Sequence, residues 1–198
     1  MAATAEAWKT TNIALNFSRL WRGCAVPGAG ARPTLTSGTP DDSSNPSALH
    51  MGATTEGVEF KVSSTDQNYM VDEFPSPIIT SVDAVEMGIT GNLVGVTDMQ
   101  LMAYLLPGVG TRATASGYDY ITVGTKAIAY DCVLATYQLI EDTSKYGWFM
   151  LYNARNAGGV AWKQARKSMG ATPFALQGLS VSSRAAADTV GQVGKQIA

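Results

Sequence analysis

The stretch that most limits what this chain can fold into runs from Leu49 to Thr97. A Gly-bearing loop, Gly52 to Gly57, leads into Val58, Phe60 and Val62, which alternate with Glu59, Lys61 and Ser63. A period of two marks a half-buried strand, because successive side chains leave a pleated backbone on opposite faces. The polar break Ser64-Thr65-Asp66 opens a second β-rich run, Gln67 to Phe74, which Pro75 and Pro77 interrupt because proline has no N–H for a ladder. A longer β-prone run, Ile78 to Thr97, carries a turn candidate at Gly91-Asn92. This reads as long, amphipathic antiparallel β-structure with an acidic edge, suited to assembly. Val58, Phe60, Val62, Tyr69 and Val71 are the residues expected to pack the sheet.

The remaining segments frame that stretch. Residues 1–22 read as an N-terminal arm, strand or short helix. Residues 23–48, GCAVPGAGARPTLTSGTPDDSSNPSA, are too poor in large apolar side chains to bury much surface and read as a long loop reaching a neighbour. After Asp98, Met99, Met102, Leu105 and Leu106 recur at helical spacing, Thr97 or Asp98 can cap the start, and Pro107-Gly108 stops the helix. Residues 108–117 read as a turn-rich link. β runs follow at Tyr118 to Val123, Ala127 to Ile140 and Tyr146 to Asn153, with Ile128, Tyr130, Cys132 and Leu134 on one face of the second. Residues 154–170 suit helix and loop equally. Thr172 to Val181 reads as a closing strand, and 183–198 as a C-terminal arm. Short strands, one helix and frequent turns argue a mainly β domain over 49–182: an antiparallel sandwich or barrel with a flanking helix, long hairpins and terminal arms.

Charge is sparse and lopsided. Charged residues make up 15% of the chain, against about 25% in a typical soluble domain, which suits a chain that hides surface against other subunits. The net charge of −2 provides no global field for nucleic acid or anionic membrane. Between Glu56 and Glu86 lie Glu59, Asp66, Asp72, Glu73 and Asp83, opposed only by Lys61. From Thr143 to Ala187 there is no acid, while Lys145, Arg155, Lys163, Arg166, Lys167 and Arg184 are basic. These are either two solvated faces of a monomer or complementary surfaces of successive copies, since heterologous contacts build rings and filaments. In the second case Glu56, Glu59, Asp72, Glu73, Asp83 and Glu86 face a neighbouring copy, and Lys145, Arg155, Lys163, Arg166 and Lys167 meet an acidic surface.

No motif nominates a catalytic, metal or cofactor-binding residue. His50, the single histidine, sits between Leu49 and Met51 as a packing residue would. Neither G-x-S-x-G nor G-x-x-x-x-G-K-[ST] occurs, and Gly28-Ala29-Gly30 lacks strand-to-helix context. Asp41-Asp42 and Asp72-Glu73 lack the further spaced ligands of a calcium loop. Cys24 and Cys132 make no zinc spacing; a bridge between them stays open. No export signal begins the chain, and no apolar run approaches the roughly 20 residues that span a bilayer. The expectation is a non-enzymatic protein made in a cytoplasm, without cofactor or membrane partner.

The order of the motifs resembles that of major tail tube proteins of long-tailed bacteriophages. A small-residue loop enters the first core strand through MGATTEGV, residues 51–58; an acidic, proline-broken β segment follows, VDEFPSPIITSVDAVEMGIT; then a sheet-flanking helix, DMQLMAYLL; then a closing strand, ATPFALQGLSV. The likeness spans roughly residues 12–182. It implies a subunit of a virion tail, assembled in the host cytoplasm, that closes hexameric rings stacked head to tail. Hairpins would line a β-barrel channel through which DNA passes without specific binding, past an electronegative wall. Residues 23–48 would be the inter-ring arm. Implied partners are further copies, the tape measure protein, and tail-terminator and distal tail proteins. The long loop and low-complexity tail depart from the family. Two other readings share the β-richness: a capsid decoration or receptor-binding module, and the tube of a contractile or secretion apparatus. An unrecognised hydrolase comes last.

Overall fold

A computed structural model describes residues 14–41, 43–69, 79–94, 98–139, 142–161, 170–185 and 188–197. Within them the chain is mainly β and antiparallel, with one helix. Its strands are β1 (Ala14–Arg22), β2 (Leu35–Thr36), β3 (Thr39–Pro40), β4 (Leu49–His50), β5 (Thr54–Tyr69), β6 (Ile79–Val94), β7 (Gly110–Ala115), β8 (Tyr118–Val123), β9 (Asp131–Leu139), β10 (Tyr146–Asn156), β11 (Ala171–Gly178) and β12 (Gly191–Lys195); the helix α1 is Met99–Leu105. The main sheet runs β4-β1-β9-β10-β11-β6-β5, and β12 pairs with β10 where β11 does not. No ladder joins β4 to β5 among the described residues, so the sheet is open and not a closed barrel.

The sheet rolls so that its far strands face its middle. Phe60 of β5 stacks on Phe149 of β10 with ring centroids 4.2 Å apart, and Tyr137 of β9 stacks on the same ring at 5.1 Å. β9 and β10 are buried on both faces, and their alternating side chains feed two cores. Val133, Ala135, Leu151 and Ala154 join Leu20, Ile89, Leu93, Phe174 and Leu176 in the larger core. Cys132, Leu134, Trp148, Met150 and Tyr152 join Cys24 on the opposite face. A near-continuous apolar run is what a strand covered on both sides requires.

α1 closes the larger core. Asp98 caps it by accepting the Gln100 N–H at 2.8 Å, and Leu101, Met102 and Leu105 are its buried residues. The buried Asn156 pins its C-terminal end to the sheet, donating to the Leu105 carbonyl at 2.8 Å while accepting the Ala175 N–H at 2.8 Å.

Several boundaries differ from the sequence reading. The Ser64–Asp66 break does not interrupt β5; the ladder absorbs it as a bulge, with Thr65 opposite Ala84 and Asp66 opposite Val82. Gly91-Asn92 is not a turn but mid-strand, where Gly91 pairs with Val58 on one side and Phe174 on the other. Segment 108–117 is not a link: β7 pairs with β8 around Ser116-Gly117, both at positive φ. Ile128 and Tyr130 precede β9 and are exposed. Pro75, Pro77 and residues 162–169 lie outside the described residues.

The arms are corrected most. Residues 14–22 are a sheet strand between β4 and β9, because Leu20 needs the core; residues 1–13 lie outside the description. The loop 23–48 is not a free arm. Cys24, Leu35 and Ala48 pack over the outer face of β9 and β10, and Thr136 Oγ1 donates to the Gly38 carbonyl at 2.7 Å. The tail supplies β12 and a clasp. Arg184 lies over the Tyr152 ring at 4.1 Å, pairs with Asp188, and donates to the Pro27 carbonyl at 2.7 Å. Gln192 Nε2 donates to the Ala31 carbonyl at 2.7 Å. Tail and loop thus hold each other against one face of the sheet.

β12 approaches so closely that only glycine fits. A Cβ on Gly191 would lie 2.2 Å from the Met150 carbonyl oxygen, and one on Gly194 2.3 Å from the Trp148 ring. Gly191→Ala should therefore lower unfolding free energy by about 1–3 kcal/mol, as overpacking does. Gly28→Ala, with no atom within 4 Å of its Cβ, should change it by less than about 0.5 kcal/mol. Urea titrations of the two variants check this.

Candidate assembly interface

β5 and β6 are each 16 residues long and pair from Val58–Gly91 to Tyr69–Ile79, with a register shift before Val58 and at the bulge. Opposed residues of a ladder share a face. One face carries Phe60 with Ile89, Val62 with Met87, Ser64 with Val85, and Asp66 with Val82. The other carries Glu59 with Thr90, Lys61 with Gly88, Ser63 with Glu86, and Thr65 with Ala84. The hairpin is therefore two-faced along its length.

Only its first part is covered. Ile89 and Met87 are buried and Phe60 packs on the core. Beyond them the same face emerges into solvent, with Val62 54%, Val82 61% and Val85 47% exposed. The cause lies in the neighbouring strand. β11 pairs with β6 only from Gly88 to Val94, so the distal half of β6 has no strand on that side, and β5 has none on its outer side, among the described residues. An apolar ribbon with two open edges is the surface that soluble monomers avoid.

The polar face is acidic in outline. Glu59 and Glu86 are exposed and make no ion pair or hydrogen bond among the described residues, as is true of Lys61. Gly57, Glu59, Thr90, Gly91, Asn92 and Phe174 border an open groove where β5 joins β6. Elsewhere the charges are spent locally. Arg112 Nε donates to Asp119 at 2.8 Å, Arg22 lies 3.6 Å from Asp131, and Lys145 lies 3.2 Å from Asp142.

The expected site residues separate on this geometry. Val58 and Phe60 pack on the core as a strand face should. Val62 does not; it belongs to the exposed stripe. Lys145 lies beside Asp142 of its own turn, which partners its charge within the subunit. Arg155 sits on β10 with its Nε buried and unpartnered. The side chains of Glu56, Tyr69 and Asp83 lie outside the description, and Val71, Asp72, Glu73, Lys163, Arg166 and Lys167 lie outside the described residues.

A second ribbon was missed. β7 and β8 form their own sheet, with Tyr120 opposite Ala113 and Tyr118 opposite Ala115 on one uncharged face. Tyr118 is 75% exposed. The signal was present in the alternation of TRATA and YDYIT about Ser116-Gly117, a hairpin turn read instead as a linker.

The buried titratable groups carry no exposed chemistry. Cys24 and Cys132 are free, buried thiols. Burial, then Asp131, raises the Cys24 pKa to about 12, and burial raises Cys132 as well, so neither is a reactive thiolate. Burial lifts Asp131 above the usual carboxylate range against the pull of Arg22. No group of three or more His, Cys, Asp or Glu that could hold a metal occurs among the described residues. No protein-family model matches the chain, and no curated protein is significantly similar to it.

His50 stands edge-on to Trp21 at 4.7 Å, and its Nδ1 accepts the Gly52 N–H at 3.2 Å. Burial, then Arg19, lowers its pKa below 6.5. A depressed folded value adds stability that is present above the unfolded pKa and is lost as pH falls through the folded one. The wild type should lose stability as pH falls below 6.5. His50→Gln should flatten that window, read as urea midpoints against pH.

Proposed function

We propose that this chain is the self-assembling subunit of a tube, and that the tube is the tail tube of a long-tailed bacteriophage. The observation that carries the reading is the β5–β6 hairpin, whose apolar face and both backbone edges continue past the end of the subunit's own core. A further copy of the same hairpin supplies what the distal half lacks: a strand for the edge and a surface for Val62, Val82 and Val85. Repetition about an axis, closing on itself, removes the last free edge.

The two-faced hairpin fits that role chemically. The valine stripe turns toward protein, and Glu59 and Glu86 turn toward the lumen. Carboxylates on the wall repel a phosphate backbone, so the genome passes without adhering. The chain acts as a conduit and does no covalent chemistry. The motif order set out above is the support for a phage tail over other tubes. The uncharged tyrosine face of β7–β8 favours a second reading, a decoration or receptor-binding module, since rigid aromatic ribbons make good contact surfaces.

Negative-stain electron microscopy of the concentrated protein separates the two. The tube reading expects rings or filaments of uniform width; single particles at every concentration overturn it. Val62→Ser combined with Val85→Ser should abolish assembly while changing the subunit's unfolding free energy by less than about 1 kcal/mol, because both positions are solvent-exposed in the single subunit.

A further inference from the structure

We propose that the outer edge of β12 is a docking site for β8 of a second copy of this chain, an inference that rests on the self-assembly reading above and names its stacking contact. Among the described residues β12 pairs with β10 alone. The Tyr152 N–H donates to the Val190 carbonyl at 3.1 Å, and the Gln196 N–H to the Tyr146 carbonyl at 2.9 Å. These two bonds set the parity of the ladder, because an antiparallel strand turns its main-chain groups alternately toward and away from a neighbour. Val190, Gln192, Gly194 and Gln196 face β10, so Gly191 and Val193 point their N–H and C=O groups outward. The Val193 side chain is 54% exposed. An open edge beside a bare β-branched side chain is a template for strand addition.

β8 is the strand that fits it. The β7–β8 hairpin is a sheet of its own, and the Gly124 N–H donates to the Val109 carbonyl at 2.8 Å. By the same parity Tyr118, Tyr120 and Thr122 face β7, while Asp119, Ile121 and Val123 turn their main-chain groups outward. Val123 is 77% exposed. An antiparallel register with Val193 across from Ile121 puts Gly191 across from Val123 and Lys195 across from Asp119, so no like charges meet. It also sets the Tyr120 ring beside Gly194, which has no side chain to obstruct it. The β7 edge instead brings Arg112 toward Lys195, and like charges facing across a ladder destabilise it.

Both elements occur on every copy, at opposite ends of β10. β12 lies along residues 147–151 of that strand. β7–β8 rests on α1, where Arg112 donates to Gln100 Oε1 at 3.4 Å, and α1 is tied to Asn156 at the far end of β10. From Phe149, opposite Val193, to Asn156 is about 20 Å of strand. Edge and ribbon therefore meet between copies, and the contact is heterologous and propagates head to tail. The β5–β6 hairpins close one ring, and the β12–β8 pair adds the next.

Cysteine pairing in the full chain at assembling concentration tests the register. Gln192→Cys and Thr122→Cys stand across from each other at a non-hydrogen-bonded pair, where Cα atoms are about 4.5 Å apart and a disulfide can close. Mixed as separate proteins and oxidised with diamide, the two should give a linked dimer on a non-reducing gel, and neither alone should. Linkage of Gln192→Cys to itself or to Thr111→Cys of β7 overturns the proposal, as does no linkage in protein that forms filaments. Val193→Pro and Val123→Pro each delete an outward N–H that the single subunit's ladders do not use. Electron micrographs of either should show separate rings where the wild type shows filaments. Val193→Lys, which keeps the N–H and puts a charge on the edge, should do the same if a proline unfolds the subunit. Filaments from folded Val193→Lys overturn the docking site and leave the tube reading standing; a wild type that forms neither rings nor filaments overturns both.

Discussion

The structure turns on a mismatch of lengths. β5 and β6 hydrogen-bond to each other out to Tyr69 and Ile79, but β11 stops supporting β6 at Gly88. Everything up to Met87 is ordinary domain: an apolar face on a core, a polar face in water. The described residues past it form a two-stranded ribbon, marginal by itself in water. Main-chain pairing and β-branched residues hold the ribbon extended, and the same valines make it costly to leave bare. The proposed self-association would cover them with no additional component.

The rest of the chain makes the base of that ribbon stiff. β9 and β10 are buried on both faces, with α1 and the far strands on one side and the 23–48 loop on the other. The Arg184–Asp188–Tyr152 clasp links the last strand to the carbonyls of that loop. Because Asp188 is held below the usual carboxylate range by the Tyr152 hydroxyl and then Arg184, the clasp is fully charged at neutral pH. Segments that composition marks as arms are thereby consumed in the subunit's own fold.

The elements that were legible in the sequence share one trait: their signal is local. The Val58-Glu59-Phe60-Lys61 alternation and the Asp98 cap ahead of Leu101 and Leu105 state their structure within one or two turns of chain. What was illegible depends on distant partners. Val62 continues the period of Val58 and Phe60, and nothing nearby says that the core ends before it. Gly191 and Gly194 read as a flexible tail, whereas they mark the close approach of β12 to Met150 and Trp148. Gly91-Asn92 has turn composition, yet two flanking strands supply the pairing that keeps it extended. Lys145 opens a basic tract in the sequence, and its partner within the subunit, Asp142, lies just ahead of that tract.

Amide hydrogen exchange on the β5 strand bears most directly on the claim that the hairpin is completed by another copy. In dilute protein the outward-pointing amides of Lys61 to Asp66 should exchange fast while those of β9 and β10 are protected, and concentration should slow the β5 amides without altering the others. Strong protection of the distal β5 amides in a dilute lone subunit, or their continued fast exchange once the protein has associated, would contradict the account.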